Sequence, residues 1–317
     1  MKSLPLVTVS MVTYNSEKYI QMAIESVLAS SYTNFELIIS DDCSTDNTWN
    51  IIQEYNDKRI IATRNGSNLK EYCNRNKCVD LAKGKYIIFV DGDDILKPLG
   101  LEFYVKSLEA FPDCGMSAMA YPYEKFLFPL KLTPREVVRN EIFSTNTFLS
   151  MHMLGNLFRT DVLKKNKFPT DKIAGDSYTR WHIALDHPVL LIDGGFAFAR
   201  NPPGQASEKL TTIECFIQNQ SFKKDFFAKA YHKKLISKEE LELLIKQYEV
   251  CNYYKALSLI KRRHWKDLSL LIGNLKWRIG SRKKINTEIL SRDPFKEYSS
   301  ARLLDRDFFK SPYINKQ

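Results

Sequence analysis

Long apolar runs are missing from this 317-residue chain: no segment approaches the ~18 uninterrupted apolar residues that a membrane-spanning helix needs. The opening Met1-Lys2-Ser3-Leu4-Pro5-Leu6 has neither an apolar stretch nor a small-residue cleavage site, so no secretory leader is expected. Paired cysteines are missing too. Cys43, Cys73, Cys78, Cys114, Cys215 and Cys251 are scattered without CxxC spacing, which speaks against a zinc site or a disulfide framework and for a reducing cytoplasm. There is no internal repeat and no low-complexity tract. His152, His182 and His187 have no partner at metal-ligand spacing and are expected to be structural. The remaining composition, 44% hydrophobic and 26% charged, suffices for one substantial core and a smaller satellite.

Acidic residues are short in one region. Residues 211–317 carry 23 Lys and Arg against 12 Asp and Glu, a net +11, whereas residues 1–210 carry 24 against 25. Lys261-Arg262-Arg263-His264-Trp265, Lys276-Trp277-Arg278 and Arg282-Lys283-Lys284 interleave cations with tryptophan, as interfacial helices do at anionic lipid. Peripheral contact with the inner face of a membrane is one reading, and plain solvated helix faces are the other. No nucleic acid is expected, because no nucleic-acid-binding motif accompanies the charge.

The pattern in the first 90 residues alternates strand and helix four times. Leu6–Thr13 and Phe35–Ser40 are apolar, β-branched runs, Ile60–Thr63 is a third short one, and Tyr86–Val90 is unbroken, as in a strand buried on both faces. Between them, Tyr19, Ile20, Ala23, Ile24, Val27 and Leu28 recur at helical spacing from Ser16 onward, with Asn15 or Ser16 as cap. Asp46 is placed to cap a helix carrying Trp49, Ile52 and Tyr55, and Tyr72–Ala82 reads as a further helix stopped at Lys83-Gly84. This order predicts an α/β fold, a Rossmann-like doubly wound, mostly parallel sheet whose ligands bind outside the carboxyl ends of the strands. Pro112–Pro134 reads as irregular, and beyond about residue 210 only helices are expected, including Lys238–Ile260. The expected organisation is therefore a donor-binding half (1–111), an acceptor-binding half of the same domain (112–210) and a basic helical C-terminal region (211–317).

Three polar clusters follow predicted strand ends: Thr13-Tyr14-Asn15, Asp41-Asp42-Cys43-Ser44-Thr45-Asp46 and Asp91-Gly92-Asp93-Asp94. Carboxylates crowded on one sheet edge repel one another unless a cation or hydrogen-bond donors offset them. A hard divalent ion with a diphosphate suits such an edge, since Mg²⁺ or Mn²⁺ takes one or two carboxylates plus phosphate oxygens. Taken singly, the Asp41–Asp46 run also reads as a helix cap and turn, Asp91–Asp94 as a solvated turn, Asp176 as a helix-start aspartate and Arg75 as a surface residue.

The runs Val-Thr-Tyr-Asn at 12–15, Phe-Glu-Leu-Ile-Ile-Ser-Asp-Asp-Cys-Ser-Thr-Asp-Asn-Thr at 35–48 and Gly-Lys-Tyr-Ile-Ile-Phe-Val-Asp-Gly-Asp-Asp-Ile-Leu-Lys-Pro at 84–98 together resemble family 2 glycosyltransferases of the GT-A fold. The resemblance covers about the first 110 residues and continues more weakly to about 207. It implies an inverting, metal-dependent transfer of a sugar from a nucleotide-sugar, usually UDP-linked, to a glycan or lipid-linked acceptor in bacterial surface-polysaccharide synthesis, with Mn²⁺ or Mg²⁺ as cofactor. By position, it implies that Asp42 binds the base, that Thr13 and Tyr14 line the base pocket, that Arg75 approaches the nucleotide, that Asp91 faces the ribose or the metal, and that Asp93 ligates the metal. Asp176, in Gly175-Asp176, matches the family's acidic motif and is the implied base. Lys70, Asn74 and Cys78 stand where the family often has Gly, Ala and Gly, and Asn201 falls near its usual histidine. Two other classes fit the same residues: a catalytically silent nucleotide-sugar binding protein and a basic lipid or nucleic-acid adaptor.

Overall fold

The unbroken apolar run at residues 86–90 requires cover on both sides, and the fold supplies it with helices on both faces of one sheet. The computed structural model describes residues 4–120, 128–143, 149, 153–200 and 212–274. Strands β1 (Val7–Thr13), β2 (Phe35–Asp41), β3 (Ile60–Arg64) and β4 (Tyr86–Phe89) alternate with helices α1 (Ile20–Leu28), α2 (Thr48–Gln53) and α3 (Glu71–Leu81). A short β5 (Ile95–Leu96), α4 (Gly100–Glu109), β6 (Met116–Ala120), β7 (Leu130–Leu132) and α5 (Pro134–Phe143) follow. Then come β8 (Leu157–Arg159), α6 (Thr160–Lys165), α7 (Gly175–Ala184), β9 (Val189–Asp193) and β10 (Ala197–Phe198). Helices α8 (Ile213–His232), α9 (Lys238–Lys261) and α10 (Trp265–Asn274) complete the described residues.

The main sheet has eight strands in the order β3-β2-β1-β4-β8-β6-β9-β7. Its first four strands are mutually parallel, β6 and β9 are parallel, and β7 and β8 run against their neighbours. Alternation along β4 shows why that segment is wholly apolar. Tyr86 and Ile88 join the core beneath α1 and α4, while Ile87 and Phe89 join the core shared with α3, α6, α7 and α8.

Two local expectations change. Residues 112–134, which the prolines mark as irregular, contain β6 and β7. Met-Ser-Ala-Met-Ala has no β-branched residue. It becomes a strand because β8 and β9 flank it and all five residues are buried, so the site rather than intrinsic preference decides. Helix α1 begins at Ile20, not near Ser16: residues 16–19 form a turn tied to the neighbouring loop, with Ser16 N donating to Thr48 Oγ1 (2.8 Å) and Glu17 N to Asp46 Oδ2 (3.1 Å). The cap position of α2 is Asn47 rather than Asp46, although Asp46 Oδ1, one residue earlier, accepts from Thr48 N at 3.0 Å.

The C-terminal helices have clear starts. Thr212 caps α8, and Ser237 with Glu240 forms a capping box on α9. Phe222, Phe226 and Phe227 of α8 extend the core under α7. Among the described residues no helix is long and apolar enough to cross a membrane, and Cys43, Cys73, Cys78, Cys114 and Cys215 are all free thiols.

Candidate active site

Backbone ladders carry the chain past the strand ends and thereby assemble the site. Asp42 N donates to Thr13 O (2.9 Å), Asn65 N to Asp41 O (2.8 Å) and Gly92 N to Val12 O (3.0 Å), so the three polar clusters share one sheet edge. Side chains lock the first two together. Asn15, at φ +51°, donates its amide to Ser44 Oγ (2.9 Å), and its Oδ1 accepts from Thr45 N (2.8 Å). Tyr14 is left half exposed at the mouth, whereas Thr13 is buried. Gly92 sits against Thr13: a Cβ there would lie 2.5 Å from Thr13 Oγ1 and 2.8 Å from its Cβ, so only glycine fits this approach.

Asp42 organises the loop between β3 and α3. Its Oδ1 accepts from Asn65 Nδ2 and Leu69 N, both at 2.8 Å, and its Oδ2 from Lys70 N at 3.0 Å. A carboxylate has about four acceptor directions, so one is left on Oδ2. Lys70 occupies a left-handed conformation (φ +73°), the kind of position that favours glycine, and its hydrogen bond to Asp42 holds it there. Asn74 is buried, bridging Ser40 and Asn65, and Cys78 packs against Val12 and Ile38.

Arg75 is 4% exposed and committed. Its guanidinium pairs with both oxygens of Asp91 (2.9 and 2.6 Å), reaches Glu71 Oε1 (3.2 Å) and lies 5.3 Å from the Phe89 ring centroid. Burial opposes its charge, but Asp91 and Glu71 more than offset this and raise its pKa. Burial pushes the Glu71 carboxyl up; Arg75 opposes that, and the charges of Asp91 and Asp176 add to it. Tyr72, next in sequence, donates its hydroxyl to Ile173 O (3.0 Å) and lies 3.4 Å from Asp176 Oδ1. Burial and then Asp176 keep that phenol well above its ordinary pKa.

Asp176 stands in the first turn of α7. Its Oδ2 accepts from Arg180 at 2.8 Å, and Arg180 is wholly buried. The order Asp91, Arg75, Glu71-Tyr72, Asp176, Arg180 thus connects the end of β4 with the start of α7. Glu71, Tyr72 and Arg180 are the residues that motif reading misses. The only trace of them in the sequence is the i,i+4 spacing of Glu71 with Arg75 and of Asp176 with Arg180.

The loop after β9 closes the other side. β5 and β10 pair antiparallel, Lys97 N donates to Phe196 O (3.0 Å), and Arg200 N donates to Asp94 Oδ1 (3.2 Å). Asn201 lies outside the described residues. Asp94 is buried, and that burial, then the charges of Asp91 and Asp93, push its carboxyl from 3.8 up to about 8. This excess of negative charge is the feature that suits a divalent cation. No cluster of three or more His, Cys, Asp or Glu able to hold a metal occurs among the described residues.

The sign of the Asp94 shift makes a test. A carboxyl whose folded pKa lies above its unfolded value stabilises the fold fully below about pH 4, and the contribution is lost as pH rises toward 8, at no more than about 1.4 kcal/mol per pH unit. In chelator, Asp94→Asn is therefore expected to gain on the parent between pH 5 and pH 8, melting further above it at pH 8 than at pH 5, as read by thermal unfolding at both pH values. An equal difference at the two pH values would show that Asp94 is not held protonated.

The model of Glycosyl transferase family 2 matches residues 8–165. An uncharacterized glycosyltransferase of Methanocaldococcus jannaschii is 34% identical over 199 residues, covering 60% of this chain and 68% of the relative. TuaG of Bacillus subtilis, provisionally named a teichuronic acid biosynthesis glycosyltransferase, is 37% identical over 155 residues, which is 46% of this chain; the match spans 62% of that relative's length. Among solved structures, residues 1–349 of Staphylococcus aureus TarS with UDP-GlcNAc superpose with a TM-score of 0.60 at 19% identity, covering 76% of this chain and 71% of that one. The mannosyltransferase PcManGT of Pyrobaculum calidifontis, in complex with GDP-Man and Mn²⁺, gives 0.56 at 18% identity, covering 86% of each chain. The fold is GT-A, with a mostly parallel central sheet and C-terminal helices, and the chain belongs to glycosyl transferase family 2.

Proposed function

We propose that the protein is an inverting glycosyltransferase that moves a sugar from a UDP-sugar to a hydroxyl of a glycan or lipid-linked acceptor during surface-polysaccharide assembly at the inner face of the cell membrane. The observation that carries this reading is the line of side chains from Asp91 through Arg75 and Tyr72 to Asp176, which joins a diphosphate-type acidic edge to a separate, anchored carboxylate. Membership of the family, the teichuronic acid biosynthesis in TuaG's name and the UDP-GlcNAc bound to TarS support the same reading.

In this reading the remaining acceptor direction of Asp42 takes a base N–H, with Thr13 and Tyr14 lining the base pocket. Asp93, with Asp91, would hold a divalent cation. When bound, Mg²⁺ or Mn²⁺ offsets charge on the leaving diphosphate. Arg75 acts by positioning Asp91. Asp176 takes the proton of the acceptor hydroxyl as its oxygen bonds to the anomeric carbon; the bond from that carbon to the diphosphate breaks, and the electron pair leaves with the diphosphate. Attack opposite the leaving group inverts the anomeric centre without a covalent enzyme intermediate.

The test is a thermal-shift series with UDP, GDP, CDP and dTDP, each with and without Mn²⁺. UDP with Mn²⁺ is expected to raise Tm by on the order of 5 °C at saturating ligand. If no nucleoside diphosphate stabilises the protein in a metal-dependent way, the donor assignment falls. Binding without turnover of any UDP-sugar would leave a nucleotide-sugar binding protein instead.

A further inference from the structure

The surface of α9 and α10 differs from that of the rest of the described molecule. Eight of its sixteen exposed large hydrophobic residues lie between residues 245 and 272; seven are spread over residues 4–198, and one is on α8. Their spacing is helical. Tyr253, Leu257 and Ile260 form an i, i+4, i+7 stripe on α9, and Trp265 and Ile272 stand seven apart on α10. These stripes are not the faces that build the helical bundle. Ala256, Leu259 and Leu271 lie on the flank beside these stripes and pack with Ile213. Each helix therefore carries its apolar surface past the buried edge and out to solvent, where a solvated helix would be polar.

Cations frame the outer face. Lys261 ends α9, Arg262 and Arg263 form the corner with Arg263 at φ +58°, and Lys266 lies in the first turn of α10. All four are exposed, and none forms an ion pair with a described residue. Trp265, 61% exposed, sits in their midst. Residues 275–317 continue the bias, with 11 Lys and Arg against five Asp and Glu.

We infer that the α9–α10 corner docks on an anionic phospholipid surface, with Leu257, Ile260 and Trp265 entering the headgroup region and Lys261, Arg262, Arg263 and Lys266 facing lipid phosphates. This deepens the membrane contact of the reading above and rests on no step of the transfer reaction. Charge selects this occupant. A second copy of the chain would bring the same unpaired cations face to face, whereas an anionic leaflet attracts each of them. Chemistry agrees: indole and phenol rings sit at the water–lipid boundary, and long cationic side chains extend to the headgroups while their stems stay apolar.

The experiment is flotation of the full chain with phosphatidylcholine vesicles, with and without phosphatidylglycerol, at low and high salt. The protein is expected to float only with phosphatidylglycerol present, and less at high salt. The triple change Lys261→Glu, Arg262→Glu, Arg263→Glu should weaken binding at least tenfold, and Ile260→Ser with Trp265→Ser should weaken it at both salt concentrations. These positions are exposed, so both variants should keep the parent's Tm and its response to UDP with Mn²⁺, which separates a failed donor assignment from a failed membrane site. Three results would overturn the proposal: no flotation with phosphatidylglycerol, both variants floating like the parent, or a lipid-free dimer that Ile260→Ser with Trp265→Ser dissociates in light scattering.

Discussion

Asp176→Asn is expected to lower kcat by roughly 10²–10⁴-fold, the usual contribution of a positioned general base, while leaving the affinity for UDP and the sugar donor unchanged. Asparagine has the same shape and keeps an oxygen for Arg180, so the anchoring that holds the side chain survives while its ability to take a proton is lost. The effect should fall on kcat rather than on donor binding, because among the described residues the hydrogen bonds of Asp176 go to Arg180 and Tyr72 and not to Asp42 or the residues that hold it. Single-turnover transfer alongside calorimetric UDP binding separates the two. Glu71 is the competing carboxylate. It is partly exposed, burial holds its carboxyl above the ordinary range, and the charge of Asp176 adds to that. A raised pKa brings a carboxylate closer to the acceptor's proton. If Asp176→Asn transfers sugar like the parent and Glu71→Gln does not, the base is Glu71.

That ambiguity shows where sequence reading stops. Strands β1, β2 and β4 are legible because apolar, β-branched runs have few alternatives once a sheet covers both faces. The acids at their ends are legible for a related reason: strand-end loops of a parallel sheet share one edge, so clusters at 13–15, 41–46 and 91–94 meet by topology alone. β6 is not legible, since its strand character comes from β9 and β8 beside it. The region around Asp176 is illegible in the same way. Tyr72 matters because Ile173 and Asp176 approach it across about a hundred residues of sequence, and no local pattern encodes that approach. Arg75 reads as a nucleotide contact or a surface residue from its motif, yet the fold buries it and spends its guanidinium on Asp91 and Glu71.

That burial makes Arg75→Met the substitution with the largest expected effect on stability. Methionine fills the space over Phe89 but leaves Asp91 and Glu71 without their shared cation, and removing one partner of a buried ion pair typically costs about 3–5 kcal/mol. Asp91 and Glu71 keep 27% and 36% of their side-chain exposure, so water screens part of the loss and the lower end, about 3 kcal/mol, is expected. In urea this would appear as a lower midpoint with an unchanged slope. Donor affinity should fall as well, because Asp91 loses the two bonds that orient it at the end of β4. The cause is separable from lost packing by neutralising the orphaned acids. Adding Asp91→Asn and Glu71→Gln to Arg75→Met should recover most of the stability and none of the donor binding, since the repulsion is relieved while the oriented carboxylate is still missing. A single variant within about 0.5 kcal/mol of the parent, the range of ordinary surface changes, would show that Arg75 is dispensable to the fold; a triple variant no more stable than Arg75→Met would assign the loss to packing against Phe89 rather than to charge.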